Sequence, residues 1–140
     1  MSIIGTNFTE ITVKKNKNVV KGIKVNNNLG IKSIEKMDLS FGKSNTQAGL
    51  KFVFEYVTKY EPEIANINLV GEVLLLESAE TVEKVLDSWK NKKPVDEAIM
   101  TQVMNNALNK STIKAIIFAQ DMNLPAPVKL PKVVQKAKEE

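Results

Sequence analysis

The sequence contains no histidine, no cysteine and no arginine; all 20 of its basic residues are lysine. Without imidazole, no side chain has an ordinary pKa suited to general base work near neutral pH, and no histidine can ligate a metal. Without thiols, cysteine nucleophiles, thiolate zinc sites and disulfides are excluded. Without guanidinium, there is no planar fork to grip a phosphate, a carboxylate or a guanine edge at two points. Chemistry built on Lys, Glu, Asp, Ser or Tyr survives these exclusions, but it needs a special constellation. Gly5, Gly22, Gly30, Gly42, Gly49 and Gly71 are scattered and make no phosphate-cradling loop. Glu55, Glu61, Glu63, Glu72 and Glu77 lie around strand-like segments without a metal-ligand spacing, and read as a solvated face. The expectation is a protein that is not an enzyme and carries no cofactor or metal.

Long apolar runs are also missing. No stretch approaches the ~20 apolar residues of a membrane-spanning helix, and "MSIIGTNFTE" has neither the basic nor the apolar part of a signal peptide. The expected location is the cytoplasm. What is present is ordinary for a globular domain: 140 residues, 43% hydrophobic and 26% charged. A chain of this length forms one domain and buries roughly two-thirds of its unfolded surface. We assign residues 1–134 to a single α+β domain and 135–140 to a charged tail. The net charge of +4 permits weak attraction to RNA without demanding it.

Alternation of apolar and polar residues marks the first half as strands. Ile11 and Val13 belong to one strand, Ile23 and Val25 to another, with a turn at "KKNKN" (14–18) between them. "NNNLG" (26–30) reads as a loop because Asn and Gly tolerate left-handed backbone. Three longer runs follow. Met37, Leu39 and Phe41 share one face of the first, and "GKSNTQAG" (42–49) turns the chain. Leu50, Phe52, Phe54, Tyr56, Thr58 and Tyr60 share a face of the second, and Ile67, Leu69, Val73 and Leu75 a face of the third. Pro62 marks the turn between these two. Short turns predict an antiparallel meander. Val53, Val57, Val70, Leu74 and Leu76 make both faces of the last two runs apolar, so the second face is either covered by loops or meets a partner.

From residue 78 the period becomes helical. Ser78 caps a helix with Val82, Val85, Leu86 and Trp89 on one side. Pro94 opens a second, with Asp96 and Glu97 in its first turn. Met100, Val103, Met104, Ala107 and Leu108 form one stripe and read as core; Ile113, Ile116, Ile117 and Gln120 restart the period after "NKST" (109–112), which leaves one helix or two open. Pro125, Pro127 and Pro131 bar any helix beyond and hold an extended strap, with Leu124, Val128, Leu130 and Val133 as its apolar anchors.

Two features suggest partners. Phe52, Phe54, Tyr56 and Tyr60 form an aromatic strip that bases could stack on, but without the glycine- and arginine-flanked motif of an RNA-binding sheet it reads as core. Lys14, Lys15, Lys17, Lys21 and Lys24 form a basic run, either a soluble edge or a weak RNA or ribosome contact, and the alternative function is accordingly a Lys-rich ribosome- or RNA-associated protein.

The succession "FTEITVK" (8–14), a crossover (18–32), "IEKMDLSFG", "LKFVFEYVTKY" and "IANINLVGEVLLL", then "QVMNNALNK" and "NLPAPVKLP", resembles the SecB-like export chaperones across most of the chain. That resemblance implies a four-stranded antiparallel sheet followed by C-terminal helices and a proline-rich extended tail. It also implies a homo-oligomer, dimer or tetramer, that holds unfolded polypeptide clients in apolar grooves without ATP. By position, Val25, Leu29 and Ile31 of the crossover and Leu124, Val128 and Leu130 of the tail would flank the groove. The chain departs from the bacterial members in being basic, and in a helix, 79–92, inserted before the closing one.

Overall fold

The computed structural model describes residues 2–19, 21–37, 47–131 and 133. Strands β1 (Ser2–Lys15), β2 (Lys24–Met37), β3 (Gln47–Glu61) and β4 (Ala65–Ser78) precede helices α1 (Ala79–Lys90) and α2 (Glu97–Asp121). The strands form one antiparallel sheet in the order β1-β4-β3-β2. β2, β3 and β4 make the expected meander, while β1 pairs with β4, so the chain crosses from one edge of the sheet to the other between Lys15 and Lys24. This crossover is fastened to the β3–β4 turn, where the backbone N–H groups of Asn16 and Lys17 both donate to the Ile64 carbonyl, at 2.7 and 3.2 Å.

Period-two alternation sets the two faces as expected. Leu50, Phe52, Phe54, Tyr56, Thr58 and Tyr60 of β3 and Ile67, Leu69, Val73 and Leu75 of β4 are all buried on the side the helices cover. α1 sits at one end of this face and contributes Val82 and Val85; Leu86 and Trp89 pack beside them half-buried. Its cap is Ser78, whose Oγ accepts from the Thr81 N–H at 3.2 Å. α2 is capped by Asp96, whose carboxylate accepts from the Ile99 N–H at 3.1 Å, so the helix begins at Glu97 and Pro94 lies before it. It then runs unbroken through "NKST" for 25 residues.

The buried row of α2 is Ile99, Val103, Ala107, Ser111, Ala115 and Ala119, spaced strictly i, i+4. This corrects the expected stripe. Val103 and Ala107 belong to it, but Leu108, Ile113 and Ile117 point outward at 41%, 61% and 44% exposure. The reason is room. The sheet already presents Phe52, Phe54, Tyr56 and Tyr60, so the helix crossing them approaches through its smallest side chains. The core divides into two clusters, one under α1 and the first half of α2, the other under its second half, and Phe8 and Leu29 touch both.

"NNNLG" is not a loop: Asn26 to Gly30 lie within β2 and pair with Lys59 to Glu55 of β3. A full ladder of backbone hydrogen bonds outweighs the turn preference of three asparagines. Likewise Gln47, Ala48 and Gly49, expected in a turn, pair with Ser78, Glu77 and Leu76. Leu39, Phe41 and the tail 135–140 lie outside the described residues. On the second face of the sheet Val53, Val57, Val70, Leu74 and Leu76 are half-buried among polar neighbours. Lys51 there stands 3.2 Å from Glu35 and 3.9 Å from Glu72. The large exposed apolar side chains of β3, β4 and α2 are all on α2.

Candidate functional site

The turn out of α2 positions the strap. Asn123 adopts a left-handed φ of 55°. Its N–H donates to the Gln120 carbonyl at 3.2 Å and the next N–H, of Leu124, to Ala119 at 2.8 Å. This is the Schellman arrangement, which satisfies the last carbonyls of the helix and reverses the chain. The reversal drives Leu124 into the second core cluster, beside Tyr56, Tyr60, Ile64, Ala115 and Ala119, where it is 7% exposed.

From there the strap crosses the edge of the sheet on the helix side. Val25, Asn27, Leu29 and Ile31 of β2 face Tyr60, Thr58, Tyr56 and Phe54 of β3 on that side. The Tyr60 hydroxyl donates to the Pro125 carbonyl at 2.6 Å, and Asn27 Nδ2 to the Pro127 carbonyl at 2.7 Å. Asn27 Oδ1 accepts from the hydroxyls of Tyr56 and Thr58, at 3.1 and 2.7 Å. Lys15 Nζ donates to the Met122 carbonyl at 2.9 Å. Burial pushes the Tyr60 hydroxyl up to about 12, and the neighbouring Tyr56 adds to it. It therefore remains a donor throughout the neutral range.

The six residues expected to flank a groove are distributed among three places. Leu124 is core. Leu29 and Ile31 pack half-buried against the core clusters. Val25, Val128 and Leu130 come together with Ala126, Pro127, Lys129 and Pro131 around one surface cleft. A second cleft joins it at Val128 and is lined by Asn27, Tyr56, Leu108, Asn109, Thr112 and Ile113. Val128, Leu130 and Val133 are exposed, so of the expected anchors only Leu124 is buried; Pro127, which was not expected as an anchor, is buried as well.

The sequence reading missed Asn27, the amide that holds the strap, and the exposed row Leu108, Ile113 and Ile117. Asn27 was hidden because three successive asparagines look like a loop. The exposed row was signalled by its spacing: the small residues Ala107, Ser111, Ala115 and Ala119 repeat every four positions, Ile113 and Ile117 fall on the opposite side and Leu108 on the flank.

A third depression, on the β3–β4 turn, is lined by Asn16, Lys17, Val57, Lys59, Glu61, Glu63, Asn66 and Asn68. Charges of both signs alternate around it, and no group of acidic residues among the described residues is arranged to hold a metal. The lysine run does not form a single surface, because Lys14 and Lys15 point to opposite faces of β1 and Lys15 is turned in to Met122. Among the described residues no helix is long and apolar enough to cross a membrane.

No protein-family model and no curated protein matches the sequence. By structure the chain is similar to the SecB-like chaperone Rv1957 of Mycobacterium tuberculosis, solved in complex with a ChAD peptide from the antitoxin HigA1. The TM-score is 0.54, with 8% of residues identical, over 97% of this chain and 92% of that one. Its four-stranded antiparallel sheet followed by C-terminal helices matches that neighbour, and the chain therefore has a SecB-like fold.

Proposed function

We propose that this protein is a non-enzymatic holding chaperone, which receives extended segments of unfolded polypeptides on the helix side of the sheet and works as a homo-oligomer in the cytoplasm. The observation that carries this reading is the joined pair of clefts. Val128 links Val25 and Leu130 on one side to Tyr56, Leu108 and Ile113 on the other, and Ile117 continues the row one turn along α2. Contiguous exposed apolar surface is costly to leave in water, and it marks a surface that meets another chain. The SecB-like fold, and a structural neighbour bound to an antitoxin peptide, support polypeptide as the occupant.

Val25, Val128 and Leu130 are the contact residues of this reading, with Leu29, Ile31 and Leu124 supporting the groove from the core. The test is suppression of aggregation of a chemically unfolded client, followed by light scattering. Native protein is expected to suppress it without ATP. The pair Val128→Asp with Leu130→Asp should suppress it much less while melting at the same temperature. No suppression by native protein would overturn the proposal.

A further inference from the structure

The strap's seat is an array of donors. A carbonyl oxygen has two lone pairs, and both of those on Asn27 Oδ1 are taken, by the hydroxyls of Tyr56 and Thr58. This fixes the orientation of the amide and leaves Nδ2 as the group that Asn27 offers to the strap. Tyr60 offers an O–H, and Lys15 an ammonium, which has donors only. Among the described residues, every hydrogen bond from the sheet to residues 122–127 thus runs from a sheet donor to a strap carbonyl.

The strap answers in kind. Proline brings a carbonyl and no N–H, and prolines stand at the two positions, 125 and 127, whose carbonyls meet Tyr60 and Asn27. Any other residue there adds a backbone N–H beside a seat whose one amide oxygen is already saturated. A buried N–H without a partner weakens association about tenfold or more. The seat therefore discriminates by chemistry, for extended segments rich in acceptors and poor in donors. Its occupant is nonetheless lightly held beyond Leu124 and Pro127, since Val128 and Leu130 are 36% and 50% exposed.

We propose that this seat is a recognition site for proline-bearing extended segments of other polypeptides, and that residues 124–130 of the chain occupy it in their absence. The inference rests on the reading that the protein holds extended polypeptides, and it adds a sequence preference and an internal competitor. A tethered strap acts at millimolar effective concentration, so free peptide must displace it.

The probe is a synthetic peptide with the sequence of residues 122–131, added to the full chain and followed by the NMR signals of the Asn27 side-chain amide. Leu124→Ser, which removes the strap's core anchor, should bind the peptide at least tenfold more tightly than the native chain. The pair Pro125→Ala with Pro127→Ala loosens the strap without emptying the core, and should act in the same direction if Leu124→Ser does not fold. A peptide with alanine at both proline positions should bind at least tenfold more weakly than the original. Asn27→Asp keeps an acceptor for Tyr56 and Thr58 but sets an acceptor against the strap carbonyl, and should abolish binding, read in this variant from the backbone amide signals of Tyr56 and Thr58.

The proposal is overturned if the Asn27 amide signals stay unmoved at millimolar peptide in both loosened variants, or if the alanine peptide binds equally well. Suppression of client aggregation, measured on the same proteins, separates the two readings. Suppression with an unresponsive seat removes the seat alone, whereas a responsive seat without suppression removes only the holding function.

Discussion

At the scale of single residues, two positions where no side chain or no hydrogen bond fits are as informative as the contacts. A Cβ on Gly71 would stand 2.5 Å from the Asn7 carbonyl oxygen and 2.6 Å from the ring of Phe54. That ring packs edge-on against Phe8, with centroids 6.1 Å apart. Glycine is what lets the Phe54 ring approach the β4 backbone this closely. Gly71→Ala must move either backbone or a fully buried ring, and we expect a loss of about 3 kcal/mol, read from urea midpoints; an unchanged midpoint would contradict the packing described. Ser111 is the opposite case. It is wholly buried in α2, and its Oγ has no hydrogen-bond partner among the described residues. Ser111→Ala removes an unpaired hydroxyl, keeps the small size the sheet requires and raises helix propensity, so stability should rise by about 1 kcal/mol. A drop would mean that the hydroxyl has a partner. Tyr60 adds a pH dependence. Its pKa rises from 10.0 to about 12 on folding. The folded chain thus disfavours the phenolate, and the stabilisation is complete below pH 10 and lost as pH climbs from 10 towards 12. Denaturation midpoints measured between pH 9 and 11.5 should fall less steeply for Tyr60→Phe than for the native chain, and parallel curves would rule the effect out.

At the scale of elements, legibility tracked how many neighbours decide an element's place. β4, and β3 from Leu50 onward, were readable residue by residue, because alternation over Leu50 to Tyr60 needs only a buried face to be true. α1 was readable because Ser78 and the Val82, Val85 pair act locally. β2 was not: whether "NNNLG" bends or extends depends on β3, more than 20 residues away, supplying a ladder, and nothing local announces that. α2 was found as a helix but misread in rotation. It is apolar on both sides, and periodicity alone cannot say which side meets the sheet. The decision belongs to the size of the sheet's own side chains, which admit the Ala107, Ser111, Ala115, Ala119 row and refuse Ile113 and Ile117. The strap was recognised as docked, yet three of the four anchors named for it are exposed, and its hold comes from Leu124 in the core, buried Pro127 and two proline carbonyls. That reading of α2 makes a prediction at its own scale. Ala115→Leu, mild by helix propensity, should lower stability by about 2 kcal/mol or more, because it wedges the helix from Tyr56 and Leu69 in the same cluster. Thermal melting would register this as a clear fall, and an unchanged melting temperature would mean that the helix does not lie as close as described.

At the scale of the whole molecule, the distribution of apolar surface bears on self-association. The sequence directs attention to the second face of the sheet, where β3 and β4 carry valines and leucines. That face is instead interleaved with Lys51, Glu35 and Glu72 in ion pairs and with half-buried Asn66 and Asn68, polar groups that break up its apolar area. Among the described residues no ion pair is interleaved with the exposed isoleucines of α2. Ile113 and Ile117 lie one turn apart, and a row of this kind on one helix can pack against the same row on a second copy, which is the self-complementary arrangement of a two-fold dimer. Burying two isoleucines from each copy removes several kcal/mol of unfavourable hydration, enough to matter at micromolar concentration. The pair Ile113→Glu with Ile117→Glu tests this without threatening the fold. Both positions already face solvent, glutamate is the better helix former, and folding stability should change by less than about 0.5 kcal/mol. If α2 joins the copies, light scattering will give the native chain at least twice the mass expected from 15.6 kDa, and the variant a single copy. A native chain that is already a monomer would remove self-association and leave the isoleucine row to clients. A variant that keeps the native mass would move the interface off α2, with β1 and β2, the edge strands among the described residues, as the next sites to test.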